Sequence, residues 1–154
     1  MLLQVLLLNN ITLTELGITP YFYILFILLL PFETSNWSLL LFAFFLGLFI
    51  DMFTDTPGVH SAAAVFIAFL RPFVLKLLSG RDGYPPETSP RISWFGFTWF
   101  FKYTVILTAI HHLIYFLVLE FSFENFALTL FKVLITGFLT TILIIISQYL
   151  VFRK

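Results

Sequence analysis

Cysteine is absent from the chain, which removes disulfides, thiolate metal sites and a cysteine nucleophile from consideration together. Charge is scarce as well. Lys, Arg, Asp and Glu make up 10% of the residues, where soluble domains carry about 25%. The phosphate-cradling pattern G-x-x-x-x-G-K-[ST] and the nucleophile elbow G-x-S-x-G do not occur, and Ser, His and Asp fall in no triad-like context. No nucleophile is evident, so no enzyme activity and no cofactor are expected. Strict apolar/polar alternation over about ten residues, the mark of barrel strands, is missing too.

What is present is apolar surface. Hydrophobic residues account for 60% of the chain and aromatics for 20%, and the mean hydropathy is +1.04. Runs such as YFYILFILLL, SLLLFAFFLGLFI and LITGFLTTILIII are apolar on every face. Lipid can absorb such segments but offers no hydrogen bonds, so each must satisfy its own backbone as a helix. The expected fold is therefore all-α, a polytopic transmembrane helical bundle. At about 1.5 Å of rise per residue, this length crosses a ~30 Å hydrocarbon core about five or six times, leaving no soluble domain.

Turn and cap signals divide the single membrane domain. Segment 1–8 is apolar but has neither a basic start nor a small-residue cleavage site, so it does not read as a secretory signal. It reads as part of a first crossing that begins upstream of Met1, the alternative being a half-helix at the interface. Thr19 and Pro20 form a cap and first helical position for a short helix over 20–33. Thr34-Ser35-Asn36 opens a helix over 37–53, and Asp55-Thr56-Pro57-Gly58 is a turn leading into 59–79. A polar loop over 80–93 precedes helices over 94–121 and 123–152. The last, about 45 Å long, must tilt, bend near Gly137 or project from the bilayer.

Seven of the eight basic residues fall at one level: Arg71, Lys76, Arg81, Arg91 and Lys102 around the 80–93 loop, and Arg153 and Lys154 at the C-terminus. Positive charge marks the cytoplasmic side, so loop and C-terminus are expected inside the bacterial cytoplasmic (inner) membrane. Topology accounts for this clustering without nucleic acid. Glu15, Asp51, Asp55, Glu120 and Glu124 occupy the opposite turns, and six crossings close with both termini inside. Tyr21, Tyr23, Trp37, Trp94 and Trp99 lie near helix starts, where interfacial aromatics are expected.

Ala43, Gly47 and Asp51 recur every fourth residue and share one helix face; His60, Ala64, Ala68 and Pro72 form a matching line on the next helix. Small residues at that spacing let backbones approach, so these two helices are expected to pack through the two lines, with Asp51 and His60 near the outer end of the seam. The alternative is a chance recurrence of small residues. Asp51 is either a helix-end carboxylate wetted by headgroups or the partner of His60, His111, His112 or Lys132, a candidate polar cluster. No metal site is expected, because adjacent histidines point roughly 100° apart on a helix and no H-E-x-x-H spacing occurs. Arg71 is expected to snorkel to headgroups or to pair with Glu33.

Three stretches carry a resemblance over nearly the whole length: LLQVLLLNN with YILFILLLPF, the core GLFIDMFTDTPGVHSAAAVFIAFLRPFVL, and HHLIYFLVLEF with SQYLVFRK. In them the chain resembles the rod shape-determining MreD family, in the version found in Bacteroidetes-type bacteria. The middle stretch, with G-x-x-x-D, a Pro-Gly-x-His turn and LRP, is the specific part. The resemblance implies a non-catalytic inner-membrane subunit of the cell-elongation machinery, working in peptidoglycan synthesis with MreC, MreB, RodA and a class B penicillin-binding transpeptidase. It also implies a six-helix fold similar to the substrate-binding subunits of energy-coupling-factor transporters. Gly47, Asp51, Gly58, His60, Arg71 and Pro72 are the family-like positions, none with a catalytic role. A second reading is a vitamin-type small-molecule-binding transporter subunit, which would need a water-accessible polar pocket built from Asp51, His60 and His112.

Overall fold

The computed structural model describes residues 4, 18–80, 83–121 and 125–151. Segment 1–8 apart from Gln4, together with Glu15, Arg81, Glu124, Arg153 and Lys154, lies outside the described residues. Five helices make up the described fold: α1 (Ile24–Leu29), α2 (Asn36–Thr54), α3 (Val59–Leu78), α4 (Ile92–Glu120) and α5 (Phe126–Val151). Four of them, α2 to α5, are long and apolar enough to cross a membrane.

The distribution of side chains is inverted relative to a water-soluble protein. Phe45, Phe53, Phe69, Phe73, Leu134 and Phe138 are exposed, while Thr104, Thr108, His111, His112, Thr136 and Thr140 are buried. Water would penalise this arrangement on both counts, by wetting large apolar patches and by losing its own contacts with the polar groups. Hydrocarbon reverses the balance, since apolar surface costs nothing there and polar groups find partners only inside the protein. The chain is a membrane protein on this evidence.

Helices α2 and α3 form an antiparallel hairpin. Ser35 caps α2, its hydroxyl accepting the Ser38 N–H at 3.2 Å. Asp55 ends the helix in the left-handed region (φ 51°), and Gly58 (φ 85°) completes the reversal at a position where a Cβ would be strained. The expected small-residue seam closes the pair. Ala43, Ala64 and Ala68 are buried, and a Cβ on Gly47 would stand 2.4 Å from the Ser61 Cα, so only glycine lets the backbones lie this close.

Helix α4 packs on α3, with a departure from helical geometry at Gly96 (φ 78°, ψ 167°), and α5 returns alongside α4. The backbone stays helical through Gly137, whose Cβ position would lie 4.0 Å from the His112 ring.

The expected helix over 20–33 is corrected to Ile24–Leu29. Leu30 leaves the helical region (φ −55°, ψ 142°) because the ring of Pro31 crowds an α conformation in the residue before it. At its start, the Tyr21 N–H goes to Thr140 Oγ1 (3.0 Å) and the Phe22 N–H to Gln4 Oε1 (2.7 Å), side chains from distant parts of the chain. About 9 Å long, α1 cannot cross a bilayer. It serves as a central plug, with Ile24, Ile27 and Leu28 fully buried.

Candidate functional site

Asp51, the last buried residue of α2, is 4% exposed and is not wetted by headgroups. Its carboxylate accepts the backbone N–H groups of His60 and Ser61 at 2.9 Å each, the Ser61 hydroxyl at 2.7 Å and the Thr56 hydroxyl at 3.2 Å. These N–H groups belong to the first turn of α3, which has no intrahelical acceptors for them and carries the positive end of the helix dipole. Asp51 therefore caps the neighbouring helix rather than pairing with Lys132 or a histidine side chain.

Lys132 is elsewhere. Its ammonium donates from α5 to Glu120 Oε1 at the end of α4 at 2.8 Å, and Thr129 donates to the other oxygen of the same carboxylate. Position along α5 alone placed it near the Asp51 level; the hairpin geometry supplies a closer acid.

His60, His111 and His112 do converge. Tyr23 Oη lies 3.1 Å from His60 Nδ1 and 2.7 Å from His111 Nε2, so one phenol joins α3 to α4. A hydroxyl has one proton to give, so one imidazole must donate to it. His111 Nδ1 has no hydrogen-bond partner among the described residues. A bare buried acceptor is tolerated better than a buried N–H without an acceptor, which favours Nε2–H of His111 donating to Tyr23 and Tyr23 donating to His60. His112 is held from both sides: Nδ1 donates to Thr108 O at 2.8 Å, which leaves Nε2 to accept from Thr140 Oγ1 at 3.2 Å. Tyr21 and Tyr115 lie among the three imidazoles, their ring centroids 4.6 Å apart and their planes tilted by 55°. Among the described residues, no three His, Asp or Glu side chains are grouped as metal ligands.

Tyr21 and Tyr23, expected at the interface, are 6% and 3% exposed. The Tyr23 hydroxyl is drawn to His60 and His111, while Tyr21 packs its ring on the histidines and bonds Tyr115, polar partners that hydrocarbon lacks. Trp37 and Trp94 do face outward, whereas Trp99 is half-buried and donates to Leu78 O at 3.2 Å.

Arg71 neither snorkels nor meets Glu33. It is 1% exposed, its Nε donating to Tyr103 Oη at 2.9 Å and its Nη2 to Leu30 O. Tyr103 in turn donates to Leu28 O at 3.1 Å. The premature end of α1 leaves carbonyls without intrahelical donors, and a guanidinium and a phenol supply them. Glu33 instead accepts the Glu87 N–H at 2.7 Å, tying the 83–91 loop to the end of α1.

Sequence reasoning passed over the threonines. Thr129, Val133, Thr136, Gly137, Thr140, Ile144 and Gln148 form the buried face of α5. Their three- and four-residue spacing is the only amphipathic signal in that helix, and reading polarity inward rather than outward would have revealed it.

These features define a polytopic α-helical membrane protein whose interior is a hydrogen-bonded polar network sealed by an apolar exterior. Comparison with protein-family models, with curated proteins and with solved structures finds no match to the chain.

Proposed function

We propose that the chain is a non-catalytic, multi-pass subunit of the bacterial cytoplasmic membrane that scaffolds the cell-elongation machinery, in the manner of the MreD family it resembles. One observation carries the reading. The segment with the most specific resemblance is the α2–α3 hairpin, and its distinctive polar residues first serve the fold: Asp51 caps α3, His60 bonds Tyr23, and Arg71 fixes the end of α1. Residues committed in this way hold a shape. The outward face of the same hairpin is a lipid-facing groove of about 610 Å³, where Phe44, Leu48, Phe66 and Phe69 surround Ala62. Such a surface suits van der Waals packing of a partner's transmembrane helix, the membrane anchor of an MreC-type protein in this reading. MreB, RodA and a class B penicillin-binding transpeptidase are the further partners of the proposal. A C-terminus on the cytoplasmic side and a fold similar to energy-coupling-factor binding subunits belong to it as well.

A vitamin-type binding subunit gains less support. It needs open polar groups at Asp51, His60 and His112, and these are 4%, 1% and 0% exposed, with the Asp51 carboxylate, His60 Nδ1 and both His112 nitrogens engaged inside the protein.

The test is copurification of the partner from cells, with cell width scored in parallel. Gly47→Leu and Ala64→Leu should abolish both partner recovery and rod shape by forcing the helices apart. Phe66→Ala and Ala62→Leu alter only the groove and should weaken partner recovery in a protein that stays monodisperse. Normal recovery and normal shape in all four variants would overturn the proposal.

A further inference from the structure

The connection between α1 and α2 at Phe32 and Thr34, the start of α2, the last turns of α3 and Tyr84 border a cleft of about 470 Å³. Arg71 and Lys76 line it, together with the polar side chains of Thr34, Asn36 and Ser79, and no carboxylate among the described residues does so. Arg71 is 1% exposed, yet its two hydrogen bonds go to a neutral phenol and a neutral carbonyl. Among the described residues no carboxylate pairs with Arg71, and Glu120 is taken by Lys132, so no counter-charge there neutralises this buried guanidinium. A buried charge without a counter-charge is costly, and three of the five guanidinium donors remain to be used.

We propose that the cleft binds the phosphate of an anionic glycerophospholipid, with Arg71 at its closed end and Lys76 at its rim. Guanidinium matches phosphate oxygens through its planar fork, and the ammonium adds a point charge. Asn36 begins α2, whose N-terminal turn adds a favourable field for an anion. Two observations favour a lipid over a free anion. Leu39 and Leu75 give the cleft apolar walls, and Phe73 and Leu77, which flank the rim residue Lys76 on α3, face outward at 60% and 76% exposure, where acyl chains would lie. Basic clefts between membrane helices recognise anionic headgroups by this combination. The inference needs only the membrane setting and is independent of the cell-elongation proposal.

Native mass spectrometry of the full chain, released from detergent with added dioleoyl phosphatidylglycerol or dioleoyl phosphatidylcholine, tests it. Phosphatidylglycerol should be retained about fivefold or more over phosphatidylcholine, and Lys76→Glu should erase that preference. Lys76 is exposed, so the melting temperature of the lipid-free variant should equal that of the wild type. Arg71→Lys, which keeps the charge but loses the fork, should lower retention part of the way. Equal retention of the two lipids, or retention unaffected by Lys76→Glu, would overturn the proposal. So would inorganic phosphate displacing the lipid at millimolar concentration, which would assign the site to a free anion.

Discussion

Asp51 and His60 meet backbone to side chain: the carboxylate at the end of one membrane helix accepts the His60 N–H at 2.9 Å at the start of the next. This contact couples the turn at Gly58 to the seam at Gly47 and sets the height at which the His60 imidazole enters the interior. Asp51→Ala removes the acceptor for two buried N–H groups and two hydroxyls. We expect a loss of roughly 2–3 kcal/mol, read as a fall in thermal midpoint in detergent, with Asp51→Asn losing about half. An unchanged midpoint for the alanine variant would mean that water or headgroups replace the cap.

Gly47→Ala tests the close approach. A single methyl would meet the Ser61 backbone, which cannot swing aside as a flexible side chain would. Overpacking of this kind costs about 1–3 kcal/mol, and the effect should show in the thermal midpoint. Ala62→Ser, on the exposed side of α3, is the control and should change stability by less than about 0.5 kcal/mol.

Tyr23→Phe deletes one oxygen and disconnects two imidazoles, since His60 and His111 share it. Interhelical hydrogen bonds in membranes contribute about 0.6 kcal/mol on average and up to about 1.7, and losing two at once should cost about 1–2 kcal/mol. Tyr149→Phe, on a half-exposed ring, should be neutral. Equal midpoints for the two phenylalanine variants would show that the Tyr23 hydroxyl adds nothing to the packing of its ring.

The Glu120–Lys132 pair keeps about a fifth of each side chain exposed, at 22% and 20%. Partial solvent screening limits its value, so Lys132→Ala should cost no more than about 1 kcal/mol. Exchanging the charges, Glu120→Lys with Lys132→Glu, should recover part of what either single reversal loses. A double variant no better than the worse single one would show that the pair is not coupled.

Membrane residence was legible from hydropathy, which depends on composition within a window and not on the rest of the fold. The α2–α3 seam was legible as well, since a line of small residues and a carboxylate every fourth position names a helix face directly. The end of α1 at Leu30 was also readable, from Pro31, but the apolar run of 22–30 masked it. What only the tertiary structure decided is which polar group meets which. Arg71 goes to the end of α1, Lys132 to Glu120, and Tyr21 and Tyr23 to the histidines. In hydrocarbon every buried polar atom must find an internal partner, and that choice depends on the depth and rotation of helices distant in the chain. Hydropathy states that such partners are needed; helix packing alone assigns them.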